Sequence, residues 1–227
     1  MSNDRRYCMC IETAPTTGRT KAALLNAFKW PIGSVIKVKF VGGDPALQER
    51  VKKVAKEWVG TNMANLVFNF VDSGDADIRV AFQQGDGSWS YLGTMCRQIP
   101  KTEPTMNYGW LTPQSTDDEL RRVVLHEFGH ALGLIHEHQN PLRPIQWNRD
   151  AVTRDLSGPP NNWNPQQIET NIFKKYEPGQ VTATDVDATS IMMYPIPKAW
   201  TTDGFSADLN KELSTKDKEL IKTAYPQ

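Results

Sequence analysis

Residues 126–138 read HEFGHALGLIHEH, and they hold every histidine of the 227-residue chain: His126, His130, His136 and His138. This stretch constrains the fold more than any other. Upstream, Ser115 or Thr116 offers a helix N-cap, with Asp118 or Glu119 three residues later and acidic side chains in the first turn. Val123, Val124, Leu125, Phe128, Ala131 and Leu132 then supply an apolar stripe at helical spacing. His126 and His130 are four residues apart, so one helix face carries both imidazoles, one above the other. His136 would point about 240° away from that face if the helix ran on. The helix must therefore end before it. Gly133 is placed for that, because glycine readily takes the left-handed conformation that terminates helices. The chain then turns back, and His136 can approach the other two from below.

The resulting pattern is H-E-x-x-H-x-x-G-x-x-H, with every fixed position filled. Three imidazoles on one point suit a zinc ion, which in catalytic sites has three protein ligands and an open fourth position. Glu127 directly follows the first histidine. From there a carboxylate reaches a water at the ion without being a ligand, and serves as general base. A bare H-E-x-x-H can arise by chance on an exposed helix face. The added glycine and third histidine, and the lack of histidine elsewhere, weigh against that reading. His138, two residues past the third ligand, is expected beside the site or at the surface rather than on the ion.

The rest of the chain supplies an α+β frame. VIKVKFV (35–41) alternates apolar residues with lysine, as a half-buried strand does. After the turn GGDP, Leu47, Val51, Val54, Ala55 and Trp58 recur at helical spacing, with Pro45 as opener and Gly60 as stop. Strands are expected over 65–71 and 76–83, with shorter ones at Trp89 to Leu92 and over 105–111. Beyond Gly133 the pattern dissolves into Pro-, Asn- and Trp-rich sequence, with helical patches near 164–176 and a final helix over 214–225. Ser214 and Asp217 form a capping box at the start of that helix. The expectation is an N-terminal lobe (about 32–135) with a twisted mixed sheet of about five strands and two helices. An irregular C-terminal lobe (about 136–227) with one closing helix follows it. Residues 1–31 read as an extension with one short helical-looking run, KAALLNAFKW.

Composition removes several function classes. The formal net charge is zero, from 26 basic and 26 acidic residues, which gives no electrostatic case for nucleic acid or an anionic membrane. No apolar run approaches the roughly 18 residues of a membrane span. MSNDRRYCMCIETAP has arginines but no apolar segment after them, so it does not read as a Sec signal peptide. Cys8, Cys10 and Cys96 allow at most one intramolecular disulfide, so this is not a disulfide scaffold.

With these residues in hand, the chain resembles the metzincin zinc peptidases, and within them the astacins. SIMMYP (190–195) is similar to the methionine turn of that group, with Met192 lying 56 residues after His136. A glutamate after the third histidine, here Glu137, and Ser-x-Met-x-Tyr, here Ser190, Met192 and Tyr194, are astacin marks. MMYP also admits a register with Met193 before Tyr-Pro, as in matrix metalloproteinases; Met192 lets the whole astacin pattern fit. The glycine–aspartate calcium repeats of serralysins are absent. The resemblance implies a metzincin fold over about 32–227 and one catalytic zinc ion on His126, His130 and His136. It implies that Glu127 is the base, and that Tyr194 is a further ligand or the group that stabilises the oxyanion. It also implies protein or peptide substrates laid along an edge strand at Trp89, Ser90 and Tyr91, an exported enzyme, and a monomer.

Two features depart from the family. Three cysteines cannot make the two disulfides of astacins. Glu137 pairs with the mature N-terminus in astacins, whereas some thirty residues precede the first strand here. Two other functions stay open. One is a zinc-binding module without catalysis. The other is a latent peptidase in which Cys8, Cys10 or Asp4 reaches the zinc, as prosegments of related families do. An ordinary mobile terminus is the expected reading of residues 1–31. Lys198, after the methionine turn, would favour acidic substrate side chains if it lined the adjoining pocket.

Overall fold

The computed structural model of the chain describes residues 5–11, 28–141, 144–176 and 186–227. Most of KAALLNAFKW lies outside them, as does Asp4. Six strands form one sheet: β1 (Met9–Ile11), β2 (Val35–Phe40), β3 (Val67–Phe70), β4 (Ile78–Ala81), β5 (Ser88–Tyr91) and β6 (Met106–Tyr108), in the order β1-β5-β6-β4-β2-β3. Only β5 and β6 run antiparallel; the other neighbours are parallel. The central strand β4 is buried along its whole length, as a strand covered on both faces must be.

Five strands were expected, and the sixth comes from the extension. β1 lies parallel on β5, with Met9 opposite Trp89, Cys10 opposite Ser90 and Ile11 opposite Tyr91. Far from being an ordinary mobile terminus, Tyr7, Cys8 and Cys10 are buried.

α1 (Pro45–Ala55) and α2 (Asp117–Ala131) are the two expected helices of this half. α1 opens on Asp44, whose carboxylate accepts from the Ala46 and Leu47 amides. α2 opens on Thr116, whose hydroxyl accepts from the Glu119 amide, with Asp117, Asp118 and Glu119 in the first turn. Together with the sheet they enclose the main core, around Ile36, Val51, Trp58, Val80, Val124 and Phe128.

The second half has the helical stretch expected near 164–176 and the closing helix, and one helix more. It carries α3 (Arg149–Ser157) and α4 (Pro165–Ile168) before the closing helix α5 (Thr215–Ala224), and α4 runs on into one wide turn over Glu169–Phe173. α3 escapes a periodicity reading because it has nine residues and buries only Ala151, Val152 and Leu156, too few to set up a period. α5 has the expected capping box of Ser214 and Asp217. A second core joins Val152, Trp163, Ile172, Met193 and Trp200, and takes in Tyr7 from the N-terminal segment. The histidine stretch leaves α2 between the two cores.

Candidate metal centre and cleft

α2 ends as its sequence requires. The Gly133 amide donates to His130 C=O at 2.8 Å, and the Leu134 amide donates to Gly129 C=O at 3.0 Å. This is the double bond pattern of a Schellman cap, with Gly133 at φ 93°. The chain reverses, and His136 comes back under the helix. One candidate ligand atom from each of His126, His130 and His136 lies within 4.8 Å of the others. All three residues are buried, His130 and His136 completely.

The protonation of the rings follows from their partners. His126 Nδ1 is 2.8 Å from Ile191 C=O, His130 Nδ1 is 2.8 Å from Leu134 C=O, and His136 Nδ1 is 3.3 Å from the Gln139 side-chain oxygen. Those oxygens can only accept, so each Nδ1 carries the proton and each Nε2 presents a lone pair. Burial reinforces neutrality. It pushes the His126 and His136 imidazoles well below their usual range and His130 to about 4. Yet Nε2 of His130 and of His136 stand 3.2 Å apart, lone pair to lone pair, and Nε2 of His126 is buried with no partner. A cation shared by the three removes both penalties, so the donor set fits a zinc ion.

Glu127 is fully buried, and neither carboxylate oxygen has a hydrogen-bond partner of good geometry. Burial raises its proton affinity strongly, moderated by the Cys8 thiol beside it and by Arg122. Tyr194 stands on the other side. Its ring lies 4.3 Å from His136 and 5.8 Å from His126, centroid to centroid, and its hydroxyl donates to Cys8 C=O. Glu127 and Tyr194 therefore reach the same residue from two directions, one at its thiol and one at its carbonyl. Cys8 itself is not part of the three-histidine cluster.

His138 is buried rather than at the surface. It stacks on His136 at 5.2 Å, and its Nε2 donates to Asn171 C=O at 2.8 Å, so it braces the third ligand. Met192 lies beneath α2 in the main core, while Met193 faces the second core, which distinguishes the two registers of MMYP. The turn is tied to the site twice, by the Ile191 carbonyl on His126 and by the Glu137 amide donating to Met192 C=O at 3.0 Å. The Glu137 carboxylate accepts from the Asp187 amide at 3.0 Å and from Asn140 at 3.3 Å, and burial lifts its pKa to about 7.

Trp89, Ser90 and Tyr91 do form the strand beside the site, but its outer edge is taken by β1. Lys198 is exposed. Sequence reasoning passed over three contributors. Gly129 lies where a Cβ would stand 2.4 Å from Met192 Sδ. A glycine inside a helix costs stability, which was the available signal. Asp217 was visible only as a cap. It also accepts from the Ile191 amide at 2.8 Å and the Ser190 hydroxyl at 2.6 Å, anchoring the methionine turn to α5. Tyr7 carried no signal.

The family model of the astacin peptidases matches residues 29–225. A solved structure of myroilysin is 48% identical, covers 89% of this chain and 98% of its own, and superposes with a TM-score of 0.85. A second myroilysin crystal structure is 43% identical, covers 100% of this chain and 93% of its own, with a TM-score of 0.72. Among curated relatives, zinc metalloproteinase nas-30 of Caenorhabditis elegans is 26% identical over 72% of this chain, and interstitial collagenase of Bos taurus is 31% identical over 40% of it. The matches span only 20% and 21% of those two proteins. No helix among the described residues is long and apolar enough to cross a membrane.

Proposed function

The chain belongs to the astacin family of zinc peptidases, and from that premise we propose that it is an endopeptidase that hydrolyses proteins or peptides with Glu127 as general base. The observation that carries the reading is the convergence of three Nε2 lone pairs beside a fully buried carboxylate. One zinc ion, held by His126, His130 and His136, would supply a Lewis acid that polarises the scissile carbonyl and eases deprotonation of water. Glu127 takes the proton of the attacking water onto a carboxylate oxygen and passes it to the leaving amine nitrogen. Burial raises its proton affinity, as that role requires. Tyr194 donates a hydrogen bond from its hydroxyl to the carbonyl oxygen, as it does to Cys8 C=O here. A zinc-binding module without catalysis has no use for Glu127, whose full burial is costly. Family membership favours a monomer acting outside the cell.

A second observation favours a latent form. β1 occupies the edge of β5 where substrate would add, Cys8 covers Glu127, and Tyr194 is engaged with the Cys8 carbonyl. In this reading residues 5–11 hold the cleft shut until they are displaced.

The test compares the full chain with one lacking residues 1–20, each with and without Glu127→Gln. The shortened chain should cut casein faster than the full chain. Glu127→Gln should keep zinc at one equivalent and abolish cleavage in both. Cleavage retained by the variant would sink the mechanism, and equal rates for the two lengths would dismiss latency.

A further inference from the structure

Tyr7 does more than cover the site. Its side chain enters a slot beside the histidine cluster, leaving the residue 2% exposed. Trp200 forms one wall, stacked at 5.2 Å between centroids and 25° between planes. Trp163 and Tyr194 meet the ring edge-on at 6.3 Å and 5.3 Å. At the far end the Tyr7 hydroxyl donates to Pro195 C=O at 3.1 Å. The main chain is held as well, its amide donating to the Asn161 side chain at 3.0 Å. The wall has its own support: Trp200 is fully buried, and its indole N–H donates to the Asp155 carboxylate at 2.8 Å.

We propose that this slot is a specificity pocket, and that it selects substrates with an aromatic side chain, tyrosine first, at the residue flanking the scissile bond on the side away from β5. The proposal rests on the peptidase reading above. Residues 9–11 pair with β5 and Cys8 lies over the base, so a peptide that adds to β5 and crosses the histidines must place its next residue where Tyr7 stands. The slot is flat and walled by three rings, a shape that offset and edge-on aromatic contacts reward and a branched aliphatic chain fills poorly. The Pro195 carbonyl, to which the Tyr7 hydroxyl donates, asks for a donor.

Charge gives an acidic side chain no welcome. Lys198 is exposed and does not line the void beside Tyr7. Arg122 does reach the floor, but Glu119 already engages its guanidinium at 2.7 Å and 3.0 Å. Size sets the upper bound. The void between Tyr7 and Arg122, His126 and Asn210 is about 10 Å³, room for one water at most, so that side offers no space for a ring larger than that of tyrosine.

The experiment gives the zinc-loaded full chain, its Tyr7→Ala variant and the chain lacking residues 1–20 a peptide library randomised around the cut, with fragments read by mass spectrometry. Aromatic residues should be enriched at one flanking position only. Tyrosine should exceed alanine there by about 100-fold in kcat/KM and phenylalanine by about fivefold. Trp200→Ala, checked for native circular dichroism and zinc content, should lower the tyrosine-to-leucine ratio by about tenfold. Cleavage without aromatic enrichment overturns the pocket and leaves the peptidase standing. No cleavage in any arm overturns the peptidase reading, and a binding arm then decides the pocket. The Tyr7→Ala chain should gain thermal stability from 4-methylphenol, less from toluene, and least from 3-methylbutan-1-ol. Equal shifts from all three, or none, overturn the proposal whatever the catalytic result.

Discussion

Gly129 is where the packing beneath the metal centre can be tested most sharply. It lies inside α2, one residue before His130. At an ordinary helix interior, Gly→Ala stabilises by about 1 kcal/mol. Here the sign should reverse. The new Cβ would meet Met192 Sδ at 2.4 Å and Trp58 Cζ2 at 3.3 Å. Neither neighbour has room to yield: Met192 is 3% exposed and Trp58 is fully buried, its indole N–H fixed on Leu125 C=O at 2.9 Å. Overpacking by one methyl group costs about 1–3 kcal/mol, so the net loss should be about 1 kcal/mol after the helix gain. The strain would pass into the methionine turn, whose Ile191 carbonyl orients His126. Zinc affinity should therefore fall as well, by about tenfold or more.

Met192→Ala turns this into a cycle. Alone it empties a core position and costs about 2–5 kcal/mol. In its background Gly129→Ala has space, and should stabilise by up to about 1 kcal/mol. The two substitutions should couple by about 1–3 kcal/mol. Urea unfolding of the four chains, with and without zinc, measures the cycle. Additive effects, or a Gly129→Ala that stabilises the unmodified chain, would refute the claim that α2 rests directly on Met192.

Two further perturbations address the supports of the site. Asp217→Ala leaves the Ser214 and Ile191 N–H groups, which both donate to one Asp217 carboxylate oxygen, without that acceptor; about 1–3 kcal/mol should be lost in urea unfolding, with weaker zinc binding by calorimetry. Tyr225 donates to Leu132 C=O at 2.7 Å under the end of α2, and burial raises its pKa to about 12 from 10.0. The folded chain thus holds this proton more tightly than the unfolded one. The stability involved is complete below about pH 10 and is lost as pH rises to about 12, about 3 kcal/mol in all. Unfolding free energies of the natural chain and Tyr225→Phe should converge across that interval, and parallel curves would contradict the assignment.

Local rules carried much of the site into view from the sequence. His126 and His130 are fixed by helical period, and Gly133 by the left-handed conformation it adopts at φ 93°. His136 then has one way back. Those steps need only neighbours within a few residues. The roles of the partners that orient the rings were out of reach, because Ile191 lies 65 residues from His126 and bonds through its backbone, which any residue type could supply. The same limit hid α3, whose three buried side chains are too few for a period, and the second role of Asp217, whose local capping signal is complete without the methionine turn.

The N-terminal segment is the extreme case of that limit. β1 has three residues, and its partner on β5 lies 80 positions away in the chain. A parallel strand this short has no hairpin turn to announce it and no room for alternation to declare a buried face. Tyr-Cys-Met-Cys is a sequence of adaptable, modestly apolar side chains, equally at home in a core or a loose terminus. What decides between those states is the receiving surface: an unpaired edge at Trp89 to Tyr91, a slot walled by Trp163 and Trp200, and a buried carboxylate at Glu127. Each of those is costly to leave empty, the edge in unmet hydrogen bonds, the slot in wetted aromatic area, the carboxylate in lost solvation. A substrate satisfies them for the duration of a turnover, and residues 5–11 satisfy them from within the chain. The features that close the cleft are therefore the ones that should grip a substrate, which makes Tyr7 informative about both.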